Sequence, residues 1–361
     1  SANFIPEFPP SGIQITNNGD IVGTHKIQRS GNTYTLTGDI EGTIIIERNG
    51  VTLDGAGYTI RGQGDGVGVF LQERSGVTIK NLRIRDYHYG IKFTWFGYGN
   101  YGAIRNNTIS NNIVTDNTYG VFFSDFSKGN TITGNVVKNN GYGIYLSACQ
   151  ENLLRDNHLE NNDYNFFVSG GTLSSSVNDI DHSNTINNDP IIYWCNQNEK
   201  TIPENAAYIA LINCTKISIK NFDLSHNGQS MLLVGLTDSV VANNTIRYNA
   251  NGIWLIESEK NQITNNTIES NIYDAIYISN SNNNEIASNT FINNGYSGTE
   301  IAQVLGSVGR GVLRLTQSSN NNIKDNNITG NGEGINLQAS NHNLIDRNLL
   351  DGNLGSAVHL F

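Results

Sequence analysis

Only three cysteines, five prolines and one methionine occur in the 361 residues. Three cysteines are too few for a disulfide scaffold. A lone methionine leaves no methionine-rich surface for a soft metal. Charge is sparse and leans acidic, with 22 basic against 32 acidic residues and no Lys/Arg run beyond a dipeptide. A nucleic-acid partner is therefore not expected. No apolar run is long enough to span a bilayer, and no helical spacing of apolar residues recurs, so a transmembrane helix is not expected either. The chain opens Ser1-Ala2 without a methionine. That start fits a secreted product whose leader has been removed, and the expected location is extracellular, at the cell surface or envelope.

What is abundant is asparagine, together with 38 glycines. Both occur in a phrase of about 22 residues: an apolar-x-x-Asn-x-apolar turn, then a Gly-apolar-x-apolar strand. The turn reads Ile104-Arg105-Asn106-Asn107-Thr108-Ile109 and returns around Asn135, Asn157, Asn221, Asn244, Asn266, Asn289, Asn326 and Asn348. The step from Asn135 to Asn157 is 22 residues, and that from Asn244 to Asn266 is again 22. Such a period, built from short β-branched strands, predicts an all-β, single-stranded right-handed parallel β-helix with a narrow core column. Asparagine and glycine suit it because each coil must turn about three times through left-handed backbone.

Residues 1–48 lack the phrase and read as an N-terminal arm and cap, with Tyr34-Thr35-Leu36-Thr37 and Thr43-Ile44-Ile45-Ile46-Glu47 as its strands. Residues 49–361 read as the β-helix, interrupted by side loops near 169–205 and 295–310. The segment Ala357-Val358-His359-Leu360-Phe361 matches the strand phrase, so an open strand edge for end-to-end contact is expected there, with truncation of a longer protein as the equal alternative.

Equivalent residues of successive coils form files. The turn asparagines form one, with a structural role. The positions one and three after the glycine point inward. The position between them points outward and runs Lys92, Phe122, Tyr145, Phe167, Leu232, Trp254, Tyr277, Leu313, Asn336, His359. A second file just before the glycine holds Tyr89, Tyr119, Tyr142 and Tyr164. An uninterrupted apolar stripe on an outer face reads as a binding or assembly face, and coverage by the side loops is the other reading. Two cysteines, Cys195 and Cys214, each end a strand about one coil apart and read either as a disulfide or as two buried thiols. Asn-x-Ser/Thr sequons stand at Asn106, Asn213, Asn243, Asn265 and Asn327, mostly because the turn wording creates them.

Chemistry is hard to place. No file of acids across neighbouring coils is evident. Asp86, His88 and Lys92 form the best cluster for acid-base work, Glu257, Glu259 and Asp274 a weaker patch. The seven histidines sit in different registers, so no metal site and no cofactor is expected.

The segments Tyr34-Thr35-Leu36-Thr37-Gly38-Asp39-Ile40 and Val51-Thr52-Leu53-Asp54-Gly55-Ala56-Gly57-Tyr58-Thr59-Ile60, the Asn-Asn-Thr-Ile turns and the Tyr89-Gly90-Ile91 strand resemble the NosD-like, carbohydrate-binding and sugar-hydrolase (pectate-lyase-like) β-helix repeats. Thr201-Ile202-Pro203-Glu204-Asn205-Ala206-Ala207-Tyr208 resembles the version in cell-surface proteins of methanogenic archaea. The NosD name implies copper delivery, which the histidine and methionine positions here do not support. The acid and basic motifs of pectate lyases and alginate epimerases cannot be placed. The leading expectation is thus a structural or adhesive envelope protein that associates with identical subunits as a sheath, layer or filament. The alternative is a carbohydrate-active enzyme or lectin acting on a polysaccharide.

Overall fold

The computed structural model describes residues 12–94, 104–124, 127–295 and 312–360. The expected arm before residue 12, Phe361 and nearly all of the 295–310 loop lie outside them. The chain forms two compact units, Ser1–Asp163 and Tyr164–Phe361. Both are coils of short parallel strands, and among the described residues the one helical element is a single 3-10 turn at Ser174–Ser176.

In the first unit two antiparallel pairings close the start: Ile13–Ile15 with Ile21–Val22, and Ile27–Ser30 with Thr33–Leu36. Each following coil contributes one strand to each of three parallel sheets. One sheet stacks Ile44–Ile46, Val67–Gln72, Tyr89–Thr94, Tyr119–Phe123 and Tyr142–Ser147. The others carry three-residue strands such as Thr108–Ser110 and Ile113–Thr115, which stack on Thr131–Thr133 and Val136–Lys138. The central residue of each short strand is buried and its neighbours are not, as alternation requires. The second unit repeats the plan. Gln229–Val234, Asn251–Ile256, Ile276–Ser279, Leu313–Thr316, Ile335–Gln338 and Val358–Leu360 stack in one sheet.

The turns explain the asparagine content. Where one file was expected, the first unit has three, five residues apart in each coil: Asn107, Asn130 and Asn152; Asn112, Asn135 and Asn157; Asn117, Asn140 and Asn162. Each amide donates to the amide oxygen of the next coil, as Asn112 Nδ2 does to Asn135 Oδ1 at 3.0 Å. The residue before each is left-handed, as with Asn106 at φ 55° and Asn111 at φ 55°. Hence Asn-Asn: the first turns the chain and faces solvent, while the second satisfies buried backbone. In the second unit the position expected for Asn221 shifts by one. Asn221 is exposed and left-handed, and Phe222 heads the file by donating its backbone N–H to Asn244 Oδ1 at 3.0 Å.

The glycine of the strand phrase has a steric cause. A Cβ on Gly90 would lie 2.6 Å from the carbonyl oxygen of Gly120 in the next coil. Val358 and Leu360 occupy inward positions yet are 41% and 69% exposed, since no described strand stacks beyond them.

Candidate functional site

The outer face of the long-stranded sheet gathers the chemistry in both units, because two files meet there: the residue before the glycine and the residue between the two inward positions. In the first unit the meeting is aromatic. Tyr89, Tyr119 and Tyr142 are in register, as are Lys92, Phe122 and Tyr145. Strand spacing of about 4.8 Å forces the tyrosines to stack. Their ring centroids are 4.9 Å apart at each step, with planes 17° and 9° from parallel. Phe122 packs 5.2 Å from both Tyr89 and Tyr145, and all five rings are half-buried.

Lys92 places its Nζ 4.0 Å above the Tyr89 ring, and His88 sits edge-on to the same ring at 4.5 Å. Asp86 is held elsewhere, in a left-handed turn where Arg61 Nε donates to it at 2.9 Å and Arg85 Nε lies at 3.8 Å. The ring of Tyr89 therefore joins His88 to Lys92, while Asp86 answers to two arginines. Nearby, burial pushes the Tyr87 hydroxyl well above its ordinary value, and it donates to the Gly42 carbonyl at 2.6 Å.

In the second unit the outward file runs Tyr193, Ala210, Leu232, Trp254, Tyr277, Arg314, Asn336, His359. This corrects the expected stripe at three points. Leu313 is an inward residue, in register with Ile276 and Ile335 and fully buried, and Arg314 is the outward one. The slip arises because Val312 takes the place that Ala275 and Gly334 hold before the inward residue of the neighbouring coils, so counting from Gly311 is one residue out. Leu232 and Phe167 are also buried. The 169–205 excursion supplies part of the cover: Leu173 donates its N–H to Glu257 Oε2 at 3.1 Å, and the Tyr193 hydroxyl donates to the Ser176 carbonyl. Phe167 itself lies 5.5 Å from Trp254 and against Gly228, where a Cβ would come within 2.1 Å of it. The excursion turns back through a hairpin pairing Thr185–Ile186 with Asp189–Pro190.

Beyond that cover the face turns polar. Arg314 donates twice to Asp274 Oδ2, at 3.0 Å from Nε and 2.6 Å from Nη2, while its guanidinium lies 4.0 Å over the Tyr277 ring. The Asp274 side chain is 2% exposed. The expected patch of Glu257, Glu259 and Asp274 is dispersed: Glu257 holds Leu173, Glu259 lies 3.5 Å from Lys260, and Asp274 holds Arg314. A different grouping replaces it. The file before the glycine continues as Gln229, Asn251, Asp274 and, two coils on, Glu333, since Ile276, Leu313 and Ile335 are successive partners and both acids stand two residues before their inward residue. Asp274 and Glu333 thus share this file two coils apart, not in neighbouring coils. The signal was present in Asn251-Gly252, Asp274-Ala275 and Glu333-Gly334, had the tyrosine file been followed past Tyr164. Asn336, 2% exposed, has no partner for its Nδ2, and neither Trp254 Nε1 nor Glu333 Oε2 has one.

Cys195 and Cys214 are not joined by a disulfide. Cys195 stands opposite Ile212, two residues short of Cys214, so the two do not align across the strands. Burial first, then the neighbouring Cys214, pushes the Cys195 thiol up to about 11. Burial also raises Cys214, whose Sγ donates to the Trp194 carbonyl at 3.5 Å. Of the sequons, Asn106, Asn213, Asn243 and Asn265 are exposed at left-handed turns, and Asn327 lies within a strand.

Residues 207–361 match the family described as right handed beta helix region, and residues 11–206, more than half of the chain, match the one described as periplasmic copper-binding protein (NosD). No curated protein sequence matches the chain. Among solved structures, the mannuronan C-5 epimerase AlgE4 A-module of Azotobacter vinelandii is similar at 16% identity, with 89% of each chain covered and a TM-score of 0.33. The DFA-IIIase of Arthrobacter chlorophenolicus A6 is similar at 13% identity over 88% of this chain and 65% of that one, TM-score 0.33. The Dettilon tailspike protein is similar at 15% identity, 88% of this chain and 62% of that one, TM-score 0.32. Copper does not fit the donors present. Among the described residues no group of three or more His, Cys, Asp or Glu could hold a metal ion, Met231 is buried in the core, and both Cys195 and Cys214 are occupied with backbone carbonyls. The likeness is one of coils and turns, and on that match the chain belongs to the NosD family.

Proposed function

We propose that the protein binds glycans outside the cytoplasm, as a lectin or carbohydrate-active β-helix. The observation that carries the reading is the double file of the first unit, where Tyr89, Tyr119 and Tyr142 stand beside Phe122 and Tyr145 with every ring part-exposed. Tyrosine offers an apolar ring and a wet hydroxyl on one rigid group, which matches a sugar ring's alternation of C–H faces and hydroxyls. Among the described residues no helix is long and apolar enough to cross a membrane. Self-association loses one of the observations it rested on, the unbroken stripe, because Phe167, Leu232 and Leu313 are buried.

Electrophoresis through gels containing β-glucan, xylan, mannan or alginate tests the reading. Retardation by at least one glycan is expected, weakened about 5- to 150-fold in a Tyr119→Leu/Tyr145→Leu variant that melts as a folded protein, since each of the two aromatic contacts contributes about 0.5–1.5 kcal/mol. Free migration in every gel, or equal retardation of the variant, rejects it.

A further inference from the structure

We infer that the second unit carries a carboxylate pair, Asp274 and Glu333, that hydrolyses a glycosidic bond with inversion at the anomeric carbon. The inference rests on the glycan-binding reading and goes beyond it, from recognition to turnover and to different residues.

The placement is set by register. Both acids stand two residues before an inward residue, on coils separated by the one that presents Arg314. With parallel strands about 4.8 Å apart, their backbones are roughly 9.6 Å apart. The carboxyl groups of inverting glycosidases stand about 6.5–9.5 Å apart, to leave room for a water, against about 5–5.5 Å in retaining ones. Between backbones, two strand spacings are of the order of the wider separation, and one of the narrower. The file before the glycine faces outward, because Asp274 meets Arg314, an outward residue, at 2.6 Å. Tyr89 and Phe122 meet in the same way in the first unit.

The carboxylates are not the only sign of a site. Asn336, in register with Arg314, is 2% exposed with its Nδ2 unbonded, and Trp254 Nε1 is buried without an acceptor. A buried donor left without a partner costs about 1–3 kcal/mol, and a ligand rich in hydroxyl acceptors supplies the missing bond. Trp254 and Tyr277, 6.0 Å apart on the adjoining coils, give that ligand an apolar wall.

The partners divide the roles. Arg314 holds Asp274 as the anion, the form that accepts a proton from water. Glu333, whose Oε2 has no hydrogen-bond partner, takes the other role, proton donor to the leaving oxygen. Water loses a proton to Asp274 as its oxygen bonds the anomeric carbon; the bond from that carbon to the glycosidic oxygen breaks, and the leaving oxygen takes the proton of Glu333. No oxidant, metal or further reactant enters, and the next water exchange returns both groups to their starting forms. The substrate is a neutral glycan, because Arg314 is engaged by Asp274 and the chain's formal charge of -10 repels polyanions.

The same four polysaccharides serve as probes, with new reducing ends measured and the anomeric configuration of the first product read by proton NMR. Release from β-glucan, xylan or mannan is expected, with inversion, and with kcat lowered about 10²- to 10⁴-fold in Glu333→Gln and in Asp274→Asn. Glu333→Gln keeps the Asp274–Arg314 pair, so its loss cannot be ascribed to an unpaired buried charge. A glycan that is retarded in the gel but never cleaved, a product of retained configuration, or full rates in both variants overturns the inference while the binding reading stands. Neither retardation nor cleavage removes both.

Discussion

Asn266 is the residue on which the turn chemistry can be weighed most directly. Its Oδ1 accepts from the backbone N–H of Asn244 at 3.0 Å and from Asn244 Nδ2 at 2.9 Å. Its Nδ2 donates to the carbonyls of Val241 at 2.9 Å and Thr264 at 3.1 Å and to Asn289 Oδ1 at 3.0 Å. Asn266→Ala removes these contacts, which amount to four full bonds because the two N–H groups serve three acceptors, and strands the Asn244 N–H in a buried turn. At about 1 kcal/mol for each net bond, less the relaxation of shared partners, plus about 1–3 kcal/mol for the orphaned donor, the loss should be about 3–5 kcal/mol. The residue beside it is the control: Asn265 is exposed at φ 56°, where glycine is equally at ease, so Asn265→Gly should change stability by less than about 0.5 kcal/mol. Urea unfolding gives the comparison. Because coils of a solenoid can open separately, hydrogen exchange at Thr267 and Ile268 gives the local value. If Asn266→Ala costs under about 1 kcal/mol, or no more than Asn265→Gly, the buried amides do not hold the coils together and the account of the turns is wrong.

Two further expectations follow from buried ionisable groups. Burial raises the hydroxyls of Tyr193, Tyr208 and Tyr87 above the ordinary value of 10.0. A raised folded value means that their stabilisation is complete below pH 10 and is lost as pH climbs towards the folded values, so a spectrophotometric titration should show these phenols ionising only as the fold opens. Three phenols titrating near pH 10 in intact protein would contradict their burial. For Cys195, a thiol pushed from 9.0 to about 11 holds roughly 100-fold less thiolate at pH 8. Alkylation by iodoacetamide should be slowed at least that much, and the mass of unreduced protein should show three free thiols; a loss of two mass units would mean a bridge.

The turn spacing and the Asn-Asn wording state the architecture in the sequence, because every coil repeats the same local problem: a left-handed residue, a buried amide, a short strand with its middle side chain inward. Local periodicity therefore sufficed for the parallel β-helix and for the inward roles of Ile253, Leu255, Ile276 and Ile278. It also sufficed to pick out the tyrosine file at Tyr89, Tyr119 and Tyr142. What it could not decide is which outward residues stay outside. Leu232 and Trp254 hold the same position in the phrase, yet one is fully buried and the other half-exposed, with Phe167 and the excursion around Leu173 lying on this face. Register in an irregular coil is likewise a tertiary matter: one residue of slip moves Leu313 inward and Arg314 outward, and with that a supposed apolar stripe becomes an arginine seated on Asp274. That Asp274 and Glu333 belong to one file is legible in their place in the phrase, but that two coils separate them depends on how the intervening residues divide into coils, which the phrase does not encode. Repetition wrote the scaffold into the chain, while the exceptions to repetition, resolved only when the coils stack, decided where its chemistry lies.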